Sequence, residues 1–290
     1  MSHIIGISIN SGKSNYTRLT IGFLKLLACG ACVHPKLECH QCLCDHRCVI
    51  LRYLIVCLAL WVPDSRACPV RIAVASNFEP TLRSVISTSE TLSDHKFQII
   101  SGSSGRLFMQ IVNGAPFDLY FSADVEKPSQ LAAMGMTMGA PWVYAYGRLA
   151  LWTPDRAAEN RPIPGPMALA NPRVAPYGVA ARAWISSLSE ADRPATEVVA
   201  ENVAHAFHFA NSRNAGSALV SLAQLLAESI PEREYQLLTD PAVPAITQAA
   251  VQIKRGGACA KAQEVYLALQ APEARAHIRR QGYNAPDPSL

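Results

Sequence analysis

A chain of 290 residues, half of them hydrophobic, can bury a large core, and its length is near the point at which one core divides into two. Its net charge of +4 comes entirely from residues 1–67, which hold seven basic and three acidic residues, whereas the remainder has 19 of each sign. A neutral body lacks the basic surface that a nucleic-acid-binding protein needs, so we expect no nucleic-acid partner.

The first 48 residues differ in composition from the rest of the chain. Together with the next nine residues they hold seven of the nine cysteines. The Cys-x-x-Cys pairs at 29–32 and 39–42 have the ligand type of a zinc site, but the two pairs are closer together than in usual zinc modules. We interpret residues 1–48 as a dispensable leader or the product of a start codon placed too early, with a metal site as the alternative.

Residues 49–67 have the features of an export signal. The apolar core at 54–62 is too short to span a bilayer stably, and Ser65 and Ala67 put small residues at the two positions that a signal peptidase reads. We predict a cleaved signal peptide and a periplasmic protein that begins at Cys68. A retained anchor is the alternative, and Cys68 itself is open to lipid attachment or to a disulfide with Cys259.

Beyond Cys68, apolar runs alternate with amphipathic ones. Residues 71–75 predict a buried strand, followed by Ser76-Asn77 and a helix with Pro80 in its first turn. Residues 97–100 predict a second strand, and the serine and glycine loop 101–105 leads from it into a helix. Exposed N–H groups and hydroxyls just before a helix form a site for an anion.

The same construction occurs twice more. A strand at 167–170 leads to a helix that starts near Tyr177, and Asn202 precedes a helix that starts at Val203. Further strands are predicted at 118–121, 148–153, 217–220, 235–238 and 246–253. This alternation predicts an α/β fold with mostly parallel sheets, and its four polar helix starts are able to aim N–H donors at a common point.

Several short motifs, in this order, resemble the periplasmic molybdate-binding proteins of ABC-type importers, which are type II periplasmic binding proteins. The resemblance covers essentially all of residues 69–285. Its motifs are VRIAVASNF at 70–78, GSSGRL at 102–107, IVNGAPFD at 111–118, FSADVEKP at 121–128, NP at 171–172, APYG at 175–178, ENV at 201–203, and a tail from PEAR at 272 to GY at 283.

The resemblance implies two α/β lobes joined by two crossover strands, with a tetrahedral oxyanion in the cleft. The first lobe would comprise residues 69–147 and 250–290, and the second residues 148–249. The implied ligand-binding groups are Ser76, Asn77, Ser104, Tyr177 and the backbone N–H of Val203.

Two further details follow from the motif positions. Ser103 would lie beside the ligand-binding serine rather than donate itself. One branch of the family has a serine at the position of Asn77 and a tyrosine after a later strand, where this chain has Ser221, so Asn77 with Tyr177 matches the other branch.

The chemistry of these groups favours molybdate or tungstate. Both are fully deprotonated dianions near neutral pH, so hydroxyls, an amide and N–H groups satisfy their oxygens without a countercharge. Protonated phosphate would need an acceptor in the site, and sulfate is a smaller ion. Because donors from both lobes must meet at one ion, we expect the lobes to close on binding, by flexing near 146–147 and 245–248.

We therefore predict a monomeric solute-binding protein that delivers molybdate or tungstate to the membrane permease of an ABC importer. It would need no cofactor and no direct metal ligation. The alternative is a binding protein for another oxyanion, such as sulfate or phosphate. An enzyme is the third interpretation, and it lacks a G-x-S-x-G nucleophile motif.

Overall fold

The computed structural model describes residues 68–93, 95–158, 163–284 and 286. The leader and the export signal predicted over residues 1–67 lie outside the described residues. None of the helices in the part that is described is long and apolar enough to cross a membrane.

Ten strands and eight α-helices alternate along the described chain. The strands are β1 (Val70–Ala75), β2 (Phe97–Gly102), β3 (Leu119–Ser122), β4 (Trp142–Gly147), β5 (Leu149–Trp152), β6 (Met167–Ala170), β7 (Glu197–Ala200), β8 (Ser217–Ser221), β9 (Tyr235–Leu237) and β10 (Ile246–Gln252). The helices are α1 (Glu79–Thr88), α2 (Ser104–Val112), α3 (Glu126–Ala133), α4 (Pro176–Ser187), α5 (Val203–Asn211), α6 (Leu222–Ala227), α7 (Ala262–Ala268) and α8 (Pro272–Arg280).

The strands form two five-stranded sheets, in the orders β2-β1-β3-β10-β4 and β7-β6-β8-β5-β9. Within each sheet, one strand runs against the others: β10 is antiparallel to β3 and β4, and β5 is antiparallel to β8 and β9. Both sheets are therefore mixed, although four of the five strands in each share a direction, and the predicted α/β class is confirmed. The reversed strands, β5 and β10, are the first strands after each crossover between the sheets. Each starts at the edge of its sheet where the other four strands have their carboxyl ends.

Burial follows from helices that cover the sheet faces. In β1, Val70, Ile72 and Val74 belong to one hydrophobic cluster and Ala73 belongs to another, as expected when alternate side chains point to opposite faces. A third cluster packs on the second sheet and includes Trp152, whose ring stacks on that of Phe207 with 4.5 Å between the ring centroids.

Two segments connect the sheets. Arg148 joins β4 to β5, and residues 238–245 join β9 to β10. The proposed lobe boundary at residue 250 falls inside β10, and this strand pairs only with strands of the first sheet. Helix α6 also departs from the proposed division, because it packs on α1 and its Ala223 belongs to a core cluster of the first sheet.

Cys68 forms a disulfide with Cys259, which resolves the alternatives left open for these two residues in favour of a bridge. The bridge ties the start of β1 to the segment before α7. Beside it, the buried Asp118 accepts hydrogen bonds from Arg255 Nη2 at 2.6 Å and from the Cys259 N–H at 3.2 Å. Asp118 is thus a structural anchor.

Candidate anion-binding site

A small cavity lies where the polar helix starts of the two lobes meet. All five residues proposed from the sequence line it. The lining residues are Ala75, Ser76, Asn77, Gly102, Ser103, Ser104, Ala123, Ala175, Pro176, Tyr177, Asn202 and Val203. None of these lining residues has a charged side chain, so any anion held here is bound by neutral groups.

The loop after β1 supplies the first part of the wall. The N–H of Ser76 donates to the carbonyl of Gly102 at 3.0 Å, which leaves the hydroxyl as the group that Ser76 can offer to the cavity. Asn77 is almost fully buried, and both protons of its amide are engaged: Nδ2 donates to Gln248 Oε1 at 2.9 Å and to Tyr283 Oη at 3.1 Å. The side-chain amide expected as a ligand donor is therefore turned away, and Asn77 can contribute its backbone N–H.

Two adjacent serines at the start of α2 differ in their partners. Ser104 Oγ accepts the N–H of Ala123 at 2.9 Å, so its own proton is free to donate into the cavity. Ser103 Oγ is buried and has no hydrogen-bond partner among the described residues. The motif position indicated Ser104 as the donor and Ser103 as its neighbour, but the structure gives both hydroxyls to the cavity wall.

The second lobe supplies two helix N-termini. Val203 is the first residue of α5, whose N-cap Asn202 accepts the N–H of His205 at 3.0 Å. Tyr177 is the second residue of α4, after Pro176. The first N–H groups of a helix have no intrahelical partner, and the helix dipole favours an anion beside them. Ser221, at the alternative position in the family pattern, caps α6 instead.

The Tyr177 hydroxyl is buried, and Tyr177 is one of the residues that line the cavity. Burial is the main cause that raises the pKa of Tyr177 well above its ordinary value, against smaller lowering effects from the Gln248 side chain and the Arg148 backbone. The hydroxyl is therefore protonated at any physiological pH. Although it lies beside Gln248, it has no hydrogen bond of good geometry to the described residues.

Contacts between the lobes close the cavity on one side. The N–H of Gly105 donates to the carbonyl of Val174 at 2.9 Å, and Arg106 pairs with Glu201 across the cleft. A Cβ at Gly105 would lie 3.1 Å from both Cα and O of Val174, so a side chain there would require the Val174 backbone to shift by a few tenths of an ångström.

A wider groove, with about 940 Å³ of open space, borders the same cleft. It shares Ala123, Ala175 and Pro176 with the small cavity, and its charged residues are of both signs, such as Asp124 and Arg173. A groove lined in part by carboxylates is poorly suited to hold a bare anion, whereas the hydroxyl-bearing residues that line the small cavity are buried and its lining includes no carboxylate. No group of three or more metal-ligating side chains is placed to hold a metal ion among the described residues.

Behind the cavity lies a set of buried polar residues that the sequence analysis missed. Tyr144 Oη donates to Gln248 Oε1 at 2.8 Å, and Tyr283 Oη donates to the Asn77 carbonyl at 2.6 Å. A glutamine in the middle of the strand predicted at 246–253 was the one local signal of this network.

The chain is similar in sequence to known solute-binding proteins. Residues 70–284 match the family described as bacterial extracellular solute-binding protein. The molybdate-binding protein ModA of Rhodobacter capsulatus is 30% identical over 244 residues, which are 79% of this chain and 92% of that protein.

Solved structures agree with this similarity. The periplasmic molybdate-binding protein of Azotobacter vinelandii superimposes with a TM-score of 0.66 at 30% identity, over 75% of this chain and all of that one. The sulfate-binding protein SubI of Mycobacterium tuberculosis has a TM-score of 0.59 at 12% identity, over 76% of this chain and 88% of that one, which is a likeness of fold alone. The two-lobed type II fold expected from the sequence is confirmed.

Proposed function

Because the chain belongs to the bacterial extracellular solute-binding proteins, we propose that it captures molybdate in the small cavity and delivers it to an ABC importer. The observation that carries the proposal is a small cavity between the lobes, lined by residues with buried hydroxyls and by helix N-termini from both lobes, with no charged side chain in its lining. The 30% identity to two molybdate-binding proteins supports the choice of ion.

The proposed ligand groups are the hydroxyls of Ser76, Ser103, Ser104 and Tyr177, with backbone N–H groups at Asn77 and Val203. Each hydroxyl or N–H donates to an oxygen of the dianion, and a hydrogen bond to a charged group contributes about 1.5–3 kcal/mol. Because molybdate and tungstate carry no proton near neutral pH, a cavity of donors matches them both. We therefore include tungstate as a second ligand.

Singly protonated phosphate is disfavoured on the same argument. Its O–H needs an acceptor, and a buried donor without one destabilises the complex by about 1–3 kcal/mol. Sulfate has no proton, but its shorter bonds put its oxygens out of reach of donors that are set for a larger ion. Phosphate and sulfate remain the alternative ligands, and the titration described below separates them from molybdate.

We assign no catalytic role to the cavity. Ser103 and Tyr177 have buried hydroxyls that lack a protein partner, and the residues that line the cavity include no histidine or carboxylate able to act as a base for either. An activated nucleophile needs such a base within hydrogen-bond reach. A ligand that accepts from both hydroxyls explains why they are unpaired.

The protein is periplasmic, as its molybdate-binding relatives imply. We propose that it is exported by a signal peptide cleaved before Cys68 and that it acts as a monomer whose closed form is recognised by the permease. The disulfide between Cys68 and Cys259 supports an oxidising compartment. N-terminal sequencing of the exported protein tests the cleavage site, and recovery of residues 1–48 would contradict it.

Calorimetric titration of the exported protein with molybdate, tungstate, sulfate and phosphate tests the function. We expect molybdate and tungstate to bind far more tightly than the other two ions. Equal affinity for sulfate and molybdate would indicate a general oxyanion-binding protein. Small-angle scattering tests closure: the radius of gyration falls on addition of molybdate if the lobes close, and an unchanged profile contradicts a hinge.

A further inference from the structure

The amide of Gln248 has an orientation fixed by the donors around its oxygen. Gln248 is fully buried in β10, and its Oε1 accepts from Asn77 Nδ2 at 2.9 Å. Oε1 is also the nearer of two acceptors for the single proton of Tyr144 Oη, at 2.8 Å, against 3.1 Å for the Ser122 carbonyl. Asn77 Nδ2 is in turn a donor to Tyr283, which itself donates to the Asn77 carbonyl. Only the oxygen end of the Gln248 amide can accept from both, so its NH₂ end points the other way.

The NH₂ end of Gln248 faces Tyr177 over Gly147. A Cβ at Gly147 would lie 2.6 Å from Gln248 Nε2 and closer still to Tyr177 Oη, so both atoms occupy the space that the glycine leaves free. Neither atom has a hydrogen-bond partner among the described residues, the other atom of the pair included. Because an amide nitrogen can only donate, the one hydrogen bond that these two neighbours can form has the Tyr177 oxygen as its acceptor, which leaves the Tyr177 proton for another partner.

We propose that Gln248 is a positioning residue that keeps the Tyr177 hydroxyl a donor to the bound oxyanion and so makes the site select anions that carry no proton. This inference rests on the proposed function. Gln248 does not line the cavity and acts through Tyr177, which does. It also lies in the strand that follows the second crossover, so it joins donors of the first lobe to a donor of the second.

A double-mutant cycle with molybdate tests the coupling. We expect Tyr177→Phe and Gln248→Met each to weaken binding by about tenfold or more. In the Tyr177→Phe background, Gln248→Met should change affinity little, because no hydroxyl is left to orient. A glutamine of the same strand that lies outside the network, changed as Gln252→Met, should leave affinity unchanged.

The cycle distinguishes positioning from a structural role. If the two losses add in the double variant, Gln248 only supports the fold and the inference is wrong. If wild-type protein fails to bind molybdate, the proposed function fails instead. Should Gln248→Met not fold, Tyr144→Phe removes one of the two donors that fix the amide, and its smaller loss should also disappear in the Tyr177→Phe background.

The selectivity is tested with Gln248→Glu. An ionised carboxylate can only accept hydrogen bonds, so the Tyr177 hydroxyl would donate to it. An oxygen lone pair of Tyr177, rather than its proton, would then face the ligand. At about pH 8 phosphate is a singly protonated dianion, and the added charge repels it and molybdate alike. We expect the ratio of phosphate to molybdate affinity to rise about tenfold or more. An unchanged ratio would overturn the claim that Gln248 sets selectivity.

Discussion

The adjacent serines at the start of α2 allow a matched pair of substitutions that separates binding from folding. Ser103 Oγ has no protein partner, whereas Ser104 Oγ accepts the N–H of Ala123 at 2.9 Å. Each hydroxyl is proposed to donate to the anion. We therefore expect Ser103→Ala and Ser104→Ala to weaken molybdate binding alike but to differ in their effect on the stability of the ligand-free protein.

The magnitudes follow from the partners. Loss of one hydrogen bond to a charged ligand corresponds to about 1.5–3 kcal/mol, or about ten- to a hundredfold in affinity, for either variant. Ser104→Ala also strands the buried N–H of Ala123, which lowers the free energy of unfolding by about 1–3 kcal/mol and the melting temperature by about 2–10 °C. Ser103→Ala removes a hydroxyl that lacks a partner, so the ligand-free melting temperature should stay the same or rise.

Calorimetry measures the affinities, and thermal unfolding without ligand measures the stabilities. If both variants bind molybdate like the wild type, the anion site is elsewhere in the protein. If only Ser104→Ala loses affinity, Ser103 is a neighbour of the ligand, as the motif position indicated. If Ser103→Ala lowers the ligand-free melting temperature as much as Ser104→Ala, the contrast in their hydrogen bonding is refuted.

Three further predictions concern the lobe contact, the disulfide and alkaline pH. Gly105→Ala should weaken molybdate binding by about 1–3 kcal/mol in calorimetry, because the added Cβ overpacks Val174 only when the lobes are closed. The control Gly139→Ala adds a Cβ in open space and should leave the affinity unchanged. Replacing both Cys68 and Cys259 by serine should lower the free energy of unfolding, measured with denaturant, by about 2–5 kcal/mol and leave the affinity for molybdate unchanged. Equal stability with and without the disulfide would contradict this prediction. Burial raises the pKa of five tyrosines, so only the unfolded chain loses these protons just above about pH 10. Stability measured by denaturant should fall there by up to about 7 kcal/mol per pH unit, and a flat profile to higher pH would disprove it. These tyrosines are Tyr120, Tyr144, Tyr177, Tyr266 and Tyr283.

Local signals were enough to predict the starts of α1, α2, α4 and α5 and most of the strands, whereas α6 and α7 were missed. Pro80 lies at the start of α1, and α2 ends with Asn113 at its C-cap and Gly114 at a φ of 86°. The strands β4 and β7 were missed. Both lie at sheet edges and mix buried with partly exposed residues, so neither has a continuous apolar run.

The network behind the cavity could not be predicted in the same way. Asn77 contacts Gln248 and Tyr283, which lie 171 and 206 residues further along the chain. No local sequence pattern predicts a contact between residues so far apart in the chain. The motif around Asn77 is equally consistent with an Asn77 side-chain amide that faces the ligand. The direction of a side chain in a crowded site depends on its tertiary partners, and these became visible only with the fold.

The balance of contacts across the cleft indicates that the anion itself drives closure. The hydrogen bond from Gly105 to Val174 contributes about 0.5–1.5 kcal/mol, and the exposed pair of Arg106 and Glu201 about 0–1 kcal/mol. A shift from mostly open to mostly closed lobes needs about 5.5 kcal/mol of differential affinity. Two second-lobe donors, the Tyr177 hydroxyl and a helix N-terminal N–H, can add about 3–6 kcal/mol that the open form lacks. The two polar contacts between the lobes are thus too weak to close the cleft by themselves, and the donors that a dianion gathers from the second lobe would bring the sum into the required range.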